Sequence, residues 1–252
     1  MTRVGVVTQA RTSSTRLPGK VLLEVGGTTL LDHHLNRLQG AGLDVLVATT
    51  VNEGDDAISS TAQARGLACH RGSESDVLGR FDGCAREHDL DVVVRVTSDC
   101  PLIDGDIVAR AVDDWLAAED PYLYMSNALR RTFPRGFDFE IFSAQALHEA
   151  ARAADTAAQR EHVTPYLYAN CNGRTTLRNI ELPTDESEFR VTVDTAADLE
   201  VVRRLVETYD AHTLDCAGIV EVLRANPELA ALNGHVEQKK LEDTETAPRD
   251  VR

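Results

Sequence analysis

One lysine is set apart because this chain uses arginine almost everywhere else. Only three of its 26 basic residues are lysines, and two of them, Lys239 and Lys240, lie in the polar C-terminal stretch. The third, Lys20, ends a segment that contains two arginines and follows an apolar run: Gln9-Ala10-Arg11-Thr12-Ser13-Ser14-Thr15-Arg16-Leu17-Pro18-Gly19-Lys20. Binding a triphosphate requires cations, hydroxyl donors and free backbone N–H groups in close sequence. The segment therefore predicts a phosphate-binding loop.

The spacing of this loop matches neither of the two common phosphate-binding motifs. The segment contains no G-x-x-x-x-G-K-[ST] pattern and no G-x-G-x-x-G pattern. Gly19 permits close approach of the backbone, and Pro18 stiffens the turn. Lys20 can act as a point charge on a phosphate, whereas Arg11 and Arg16 can make forked contacts. A solvated basic loop is the alternative interpretation.

Two aspartates each follow an apolar run that predicts a buried strand. Asp99 comes shortly after Val92-Val93-Val94-Arg95-Val96-Thr97, and Asp194 comes after Val191-Thr192-Val193. Mg²⁺ prefers one or two carboxylates together with phosphate oxygens and water, so Asp99 and Asp194 are predicted to hold Mg²⁺ against a triphosphate. Each has a structural alternative, a turn for Asp99 and a helix cap for Asp194. For Asp104, helix capping is the preferred interpretation.

Strand and helix patterns alternate in the first half of the chain. Predicted strands lie at 3–9, 44–50, 68–71 and 91–97, and predicted helices at 29–40, 56–66, 76–89 and from Asp104 onward. The second half is predicted to hold strands at 122–127, 137–142, 174–180 and 188–193 and helices at 143–153, 157–170, 196–209 and 215–226. This alternation, with nearly continuous apolar strands, predicts an α/β fold of three layers around a mostly parallel sheet.

The predicted elements form one domain, 1–235, with an inserted hairpin region near 122–142. Residues 236–252 are polar, lack periodicity and are predicted to be disordered. In open parallel sheets, ligands bind beyond the carboxyl ends of the strands. That rule is expected to bring the loop at 11–20 together with Asp99 and Asp194.

Composition and charge exclude several classes of protein. The net charge of −15 argues against general nucleic-acid binding, which depends on Lys and Arg neutralising phosphates. No run of about 18 apolar residues is present and no signal-peptide pattern opens the chain, so no membrane span is expected. The five cysteines are widely spaced without a C-x-x-C pair, which favours reduced cytoplasmic thiols. His33 and His34 are interpreted as surface or packing residues.

Four segments in this order resemble a known family. They are A-R-x-x-S-T-R-L-P-G-K at 10–20, D-V-L-G-R-F at 76–81, T-S-D-C-P-L-I-D at 97–104 and V-T-V-D-T-x-x-D-L at 191–199. Together they resemble the cytidylyltransferases that activate acidic sugars, a superfamily that includes the acylneuraminate and 3-deoxy-manno-octulosonate enzymes. The similarity covers about 3–226 and is strongest to the subgroup named after the spore coat polysaccharide biosynthesis protein SpsF. It implies a GT-A-like, Rossmann-like nucleotidyltransferase fold, CTP as the nucleotide and Mg²⁺ as the cofactor.

The resemblance also implies roles for individual residues. Those expected to bind the nucleotide are Ala10, Arg11, Ser13, Ser14, Arg16, Lys20, Arg80, Arg95 and Thr97. The expected catalytic set is Lys20, Arg11, Arg16 and Asp99. Asp99 and Asp194 are the expected metal ligands. Ser13 is a departure, because relatives often have Gly at this position; its side chain would crowd the loop or supply another donor to phosphate.

Two further segments resemble the same subgroup, R-G-x-D-x-E at 135–140 and R-E-H-V-T-P-Y at 160–166. In the superfamily this region lies beside the acceptor sugar. The expected acceptor-binding residues are Arg135, Asp138, Glu140, Arg160 and His162. The two arginines would grip a carboxylate or phosphonate. His162 would act as a base, orient a ligand, or serve only as a structural histidine.

The predicted activity is transfer of CMP from CTP to a sugar acid or phosphonate, with release of pyrophosphate. Relatives imply a homodimer, and the apolar hairpin near 122–142 is the candidate contact. Two alternatives stay open. A GT-A-like glycosyltransferase normally places its metal on a D-x-D motif, whereas here Asp99 stands alone in Ser98-Asp99-Cys100. A nucleotide-binding relative without catalysis is disfavoured by the presence of Lys20, Asp99 and Asp194.

Overall fold

The computed structural model describes residues 2–237, and the predicted tail lies outside this range from 238 onward. The elements of the first half are β1 (Val4–Gln9), β2 (Glu24–Val25), β3 (Thr28–Thr29), α1 (Leu30–Gly40), β4 (Val45–Thr50), α2 (Asp56–Ala64), β5 (Ala68–Gly72), α3 (Val77–Glu87), β6 (Val92–Thr97) and α4 (Gly105–Ala117). Those of the second half are β7 (Leu123–Ser126), β8 (Glu140–Ser143), α5 (Ala144–Ala153), α6 (Ala157–His162), α7 (Pro165–Tyr168), β9 (Thr176–Asn179), α8 (Ala196–Tyr209), α9 (Cys216–Ala225) and α10 (Pro227–Asn233). Three-residue 3₁₀ helices lie at Lys20–Leu22, Glu53–Asp55 and Ala211–Thr213.

Seven strands form the central sheet, in the order β5-β4-β1-β6-β8-β7-β9. Strands β5, β4, β1 and β6 are parallel, β8 is antiparallel to both of its neighbours, and β9 is parallel to β7. Every residue of β4 is buried, as expected for a strand that is covered on both faces. This confirms the predicted α/β fold with a mostly parallel central sheet.

Helices cover both faces of the sheet and give it two hydrophobic cores. Helices α1, α2 and α4 pack on one face, where Leu35 and Val108 are fully buried. Helices α3, α5 and α7 pack on the other face, around Phe81 and Phe142. A third core joins α8, α9 and α10 to the loops that carry Phe133 and the 189–193 segment. Within residues 2–237, no helix has the length and apolar character needed to cross a bilayer.

Most predicted elements of the first half are confirmed to within two residues, but two predictions of the second half are wrong. The segment 188–193 is extended without forming a strand, because its backbone bonds go to Arg135 and Asp99 instead of to a ladder. The helix predicted at 157–170 is divided at Val163, whose φ of 72° no α-helix accommodates. The strand predicted at 137–142 begins only at Glu140. The short β2–β3 ribbon and α10 were not anticipated.

Candidate active site

A cleft lies at the carboxyl ends of β1 and β6, where the fold class places ligands. It contains two adjoining cavities of about 180 Å³ and about 450 Å³, which we call the first and second cavity. Both are lined by Gln9, Arg11, Arg16, Arg80, Thr97, Asp99, Glu161 and Asp194. The first cavity adds Ala10, Ser14, Thr15 and Lys20, and the second adds Arg95, Arg131, Arg135, Asp138, Glu140 and His162. Thus most of the residues singled out in the sequence meet in one place.

The loop at 11–20 folds back on a single carbonyl group. The carbonyl oxygen of Thr12 accepts hydrogen bonds from the backbone N–H of Ser14, at 2.9 Å, and from that of Gly19, at 2.8 Å. Gly19 has a φ of 69°, a left-handed conformation that glycine adopts at no steric cost. This reversal turns the chain into the 3₁₀ helix that begins at Lys20. The loop therefore places Lys20 near the carboxyl end of β1, the strand that precedes the loop.

Lys20 is nearly buried, and its ammonium group lies between the two predicted metal ligands. Nζ donates hydrogen bonds to Asp99 Oδ2 at 2.8 Å, to Asp194 Oδ1 at 2.8 Å and to the carbonyl oxygen of Val193 at 2.7 Å. Burial alone would lower the pKa of Lys20, but the two carboxylates outweigh it and the pKa is raised. Lys20 is therefore charged at neutral pH, and all three of its protons are engaged.

The two aspartates meet because the 189–193 segment lies against the end of β6. The N–H of Val193 donates to the carbonyl oxygen of Asp99 at 2.8 Å, and the hydroxyl of Thr192 donates to the same oxygen at 3.2 Å. Gly136 is required nearby, because a Cβ there would stand 2.7 Å from the backbone nitrogen of Thr192. The helix after Asp194 is capped by Thr195 instead, which leaves the Asp194 carboxylate facing the cleft.

Asp194 contacts two cations besides Lys20. Its Oδ2 lies 3.0 Å from Arg16 and 2.7 Å from Arg190. Burial alone would raise the pKa of Asp194, but Lys20, Arg16 and Arg190 lower it. The carboxylate is accordingly ionised at neutral pH.

Arg190 and its partners were missed by the sequence analysis. Its Nε donates to Asp198 Oδ1 at 2.8 Å, and Asn233 of α10 donates to Asp198 at 2.9 Å and to the Arg190 carbonyl oxygen at 3.1 Å. Arg190, Asp198 and Asn233 are all buried. They form a support behind Asp194 that couples the cleft to the C-terminal helices. An arginine inside an apolar run was the available signal for this support.

Two other residues of the loop, Arg11 and Ser13, contact Glu74, which lies in the loop after β5. Arg11 lies 3.6 Å from the Glu74 carboxylate, and the hydroxyl of Ser13 donates a hydrogen bond to it. Ser13 is exposed, so the residue that departs from the family pattern does not crowd the loop. Ala10 and Ser14 line the first cavity, as predicted for nucleotide-binding residues.

Arg80 and Arg95 enter the cleft from α3 and β6. Arg80 is buried, donates to the carbonyl oxygen of Ser73 at 2.9 Å and lines both cavities. Burial lowers the pKa of Arg80 to about 10, so its guanidinium still carries a charge at neutral pH. Arg95 donates to Gln9 at 3.1 Å and forms an ion pair with Glu140. The buried Arg80 and the half-buried Arg95 thus both line the second cavity.

Both carboxylate oxygens of Glu140 already contact side chains of the protein. In addition to Arg95, it accepts hydrogen bonds from Tyr124 at 2.5 Å and from Thr164 at 2.6 Å. Its position therefore suits it to orient Arg95. On the same β6 strand, the hydroxyl of Thr97 donates to Asp99 Oδ1 at 2.6 Å.

The other predicted acceptor residues separate into two groups. Arg135, Asp138 and His162 line the second cavity, where Asp138 pairs with Arg131. Arg135 is half-buried, and its guanidinium has no hydrogen-bond or ion-pair partner among residues 2–237. Arg160 lines neither cavity; it donates to the carbonyl oxygen of Ala154 and lies 3.5 Å from Asp76. Within the described part of the chain, Arg135 thus lines the second cavity without a hydrogen-bond or ion-pair partner for its guanidinium.

His33 and His34 are both buried, so they are packing residues rather than surface residues. His34 joins β1 to the loop that carries Asp99: Nε2 lies 2.9 Å from the Thr8 hydroxyl and Nδ1 lies 2.9 Å from the Cys100 carbonyl oxygen. Burial lowers the pKa of His34 to about 4. The folded protein therefore holds this imidazole neutral at pH values where an unfolded chain would protonate it.

His34 predicts a loss of stability in mild acid. The unfolded state takes up a proton near pH 6.5 and the folded state only near pH 4, so the free energy of unfolding falls as pH drops through this window. The expected contribution is about 3 kcal/mol at most across the window. Urea unfolding at pH 4.5 and pH 7 should show a smaller difference for His34→Gln than for the wild type. The variant His235→Gln, which replaces an exposed histidine, serves as the control. If the free energy of unfolding of His34→Gln changed between pH 4.5 and pH 7 as much as that of the wild type, His34 would not be the source of the acid sensitivity.

Comparison with known proteins identifies the family. A family model described as cytidylyltransferase matches residues 6–231. The chain is 29% identical over 234 residues to the spore coat polysaccharide biosynthesis protein SpsF of Bacillus subtilis, a match that covers 89% of this chain and 95% of SpsF. A cytidylyltransferase structure from Leptospira borgpetersenii matches with a TM-score of 0.87 at 32% identity, over 95% of this chain and all of that one. In fold alone, the chain also resembles CMP:2-keto-3-deoxy-manno-octonic acid synthetase complexed with CTP, with a TM-score of 0.60 at 20% identity over 82% of this chain and all of that one. Since the family model spans nearly all of the described fold, this chain belongs to the cytidylyltransferase family.

Proposed function

We propose that this protein is a Mg²⁺-dependent cytidylyltransferase that transfers CMP from CTP to an acidic small-molecule acceptor, a sugar acid or a phosphonate, and releases pyrophosphate. One observation carries the proposal. The Lys20 ammonium lies 2.8 Å from both Asp99 and Asp194, and the adjoining second cavity is lined by Arg135, whose guanidinium has no ion-pair partner among residues 2–237. A phosphate-binding cation and two convergent carboxylates thus stand beside a separate site for an anion.

The triphosphate would occupy the first cavity. Lys20, Arg11 and Arg16 supply positive charge there, and their task is to offset the charge that develops on the departing pyrophosphate. Lys20 can reach a phosphate oxygen only by giving up one of its three present hydrogen bonds. Arg16 is likewise held by Asp194. Binding of the triphosphate would therefore require Lys20 and Arg16 to exchange contacts within the chain for phosphate oxygens.

The residues present fit a divalent cation. Asp99 Oδ2 and Asp194 Oδ1 converge on the single point where the Lys20 ammonium now lies, and carboxylate oxygens are the donors that Mg²⁺ prefers. Within residues 2–237, no group of three or more His, Cys, Asp or Glu side chains converges to form a complete metal site. Two carboxylates completed by phosphate oxygens and water match that donor set. When bound, Mg²⁺ supplies further charge neutralisation at the phosphates.

In the proposed reaction, an acceptor oxygen, from a sugar-acid hydroxyl or from a phosphonate group, attacks the α-phosphorus in line. The new phosphorus–oxygen bond forms as the bond to the β-phosphate bridging oxygen breaks, and pyrophosphate leaves with that oxygen. The protein contributes mainly by holding the two substrates in position. Burial lowers the pKa of His162, which keeps its imidazole neutral at pH 7 and able to accept the hydroxyl proton in the second cavity.

We further propose that the enzyme is a cytoplasmic homodimer. Strand β9 forms one edge of the sheet, and Leu177 on this strand is 46% exposed. An exposed edge strand is a ready template for pairing with another chain. This contact differs from the hairpin near 122–142 favoured by the sequence, because β7 is covered by β9.

The proposed function is tested by identifying the products. The protein is incubated with CTP, Mg²⁺ and a panel of sugar acids and phosphonates, and the mixture is analysed by mass spectrometry. Formation of a CMP ester and pyrophosphate in equal amounts supports cytidylyl transfer. In a parallel incubation with nucleotide sugars in place of CTP, transfer of the sugar without release of pyrophosphate would instead establish the glycosyltransferase alternative.

Arg135 is expected to set the affinity for the acceptor. Replacing Arg135 by Gln removes the unpaired guanidinium from the second cavity and should raise the acceptor KM at least tenfold, while the KM for CTP stays within about twofold. Arg130→Gln is the matched control, because Arg130 pairs with Glu181 on the exposed surface. Steady-state kinetics with each substrate varied in turn provide the measurement. A rise in the CTP KM alone would place Arg135 at the nucleotide instead.

A further inference from the structure

We propose that Asp55 is the positioning residue of the phosphate loop, an inference that rests on the proposed function of that loop. Asp55 belongs to the 3₁₀ helix Glu53–Asp55 after β4, and it lines neither of the two cavities. It is 1% exposed, an unusual position for a carboxylate. Its role follows from the groups to which it binds.

Both oxygens of Asp55 are engaged by residues at the ends of two neighbouring strands. Oδ1 accepts a hydrogen bond from the backbone N–H of Thr12 at 2.7 Å and another from the Thr12 hydroxyl at 2.7 Å. Oδ2 accepts a hydrogen bond from the hydroxyl of Thr50, the last residue of β4. Since β1 and β4 are parallel neighbours, the loops that follow them leave the same edge of the sheet. Asp55 thus ties the start of the phosphate loop to β4.

The residue that Asp55 holds is the one around which the loop is folded. The carbonyl oxygen of Thr12 accepts the N–H groups of Ser14 and Gly19, and Lys20 follows Gly19 directly. A continuous series of hydrogen bonds therefore leads from Asp55 through Thr12 to the residue beside Lys20. Space is limited at this contact, because a Cβ on Gly54 would stand 3.2 Å from the Thr12 hydroxyl. Movement of Thr12 would displace both ends of the loop together.

Energetics favour a fixed role for Asp55 over direct contact with phosphate. A carboxylate in direct contact with a triphosphate would repel it. The two oxygens of Asp55 instead accept hydrogen bonds from three donors of the chain. Charge-assisted hydrogen bonds to a buried carboxylate are among the stronger contacts in proteins. Positioning the loop before the nucleotide arrives reduces the entropy lost on binding. The expected effect of losing Asp55 is therefore weaker nucleotide binding.

The test compares Asp55→Ala with its sequence neighbour Asp56→Ala, whose carboxylate is exposed and pairs with Arg71. Asp55→Ala should raise the CTP dissociation constant at least tenfold and the KM for CTP similarly, with kcat within about threefold and the acceptor KM unchanged. Amide hydrogen exchange within residues 12–19 should be faster than in the wild type. Asp56→Ala should leave all of these quantities unchanged. A merely structural role would lower the melting temperature without separating the two KM values.

A second pair of variants covers the case in which Asp55→Ala does not fold. Thr12→Val removes only the hydroxyl that donates to Asp55 and should weaken CTP binding about threefold or more, whereas Thr12→Ser keeps this hydroxyl and should bind normally. Normal exchange and CTP affinity in Asp55→Ala, or in Thr12→Val if that is the folded variant, would overturn the positioning role. A wild-type protein that binds no CTP would instead overturn the proposed function. The exchange comparison would then still decide whether Asp55 holds the loop.

Discussion

Replacing Asp99 by Asn is expected to lower kcat at least 100-fold while leaving the fold intact. The amide has nearly the same shape and can still accept the Thr97 hydroxyl, but it removes a negative charge from the point where Asp99 and Asp194 converge. A 100-fold loss corresponds to about 2.7 kcal/mol of transition-state stabilisation. Because Lys20 keeps its bonds to Asp194 and Val193, the melting temperature should change by only a few degrees.

One further readout separates this role from a structural one. The Mg²⁺ concentration that gives half-maximal rate should rise in Asp99→Asn, because one of the two proposed ligands has lost its charge. The matched control is Asp106→Asn, an exposed aspartate in the first turn of α4, which should behave as the wild type does. A kcat close to the wild-type value in Asp99→Asn would contradict the assignment of Asp99 to the reacting centre.

Replacing Lys20 by Met is expected to have the largest effect of any single change. Methionine has a similar length without the charge, so Asp99 and Asp194 lose the cation that lies 2.8 Å from each of them. The value of kcat/KM for CTP should fall at least 1,000-fold, because the change removes both a phosphate contact and charge stabilisation of the leaving group. The free energy of unfolding at pH 7 should drop by about 2 to 4 kcal/mol, since two carboxylates are left with less compensation.

The conservative variant Lys20→Arg sharpens this prediction. A planar guanidinium cannot direct three donors toward three acceptors around one point as an ammonium does, so arginine should restore little of the activity. Arg3→Met, which removes an exposed cation before β1, controls for the change in net charge. Calorimetric titration with CTP and urea unfolding provide the two measurements. Unchanged CTP affinity in Lys20→Met would show that Lys20 does not bind the triphosphate.

The convergence of the cleft residues could be predicted from the sequence because these residues stand at recognisable places. Lys20 ends a loop after a clear strand, and Asp99 and Asp194 each follow an apolar run. The rule that ligands bind at the carboxyl ends of parallel strands then predicts that the three meet. The structure brings them together as expected, although the run before Asp194 is not a strand.

The supporting residues could not be predicted, because their contacts depend on how distant segments pack. Asp55 meets Thr12 across 43 positions of sequence only because β1 and β4 are neighbours in register. The positive φ of Val163 likewise could not be predicted, since nothing in the local pattern requires a β-branched residue to adopt it. Pro165, which begins α7, is nevertheless a local signal against one continuous helix over 157–170. Arg160, two positions before a histidine that does line the second cavity, is directed to Asp76 instead.

The central claim is tested most directly by pyrophosphate release with Mg²⁺ and each of the four ribonucleoside triphosphates, in the presence of a panel of sugar acids and phosphonates. The account predicts release with CTP and at least one acceptor, and none when the acceptor is omitted. Release with a different triphosphate would preserve the mechanism and overturn the choice of base. Absence of release throughout a broad panel, with CTP bound in calorimetry, would contradict catalysis and favour a nucleotide-binding relative without activity.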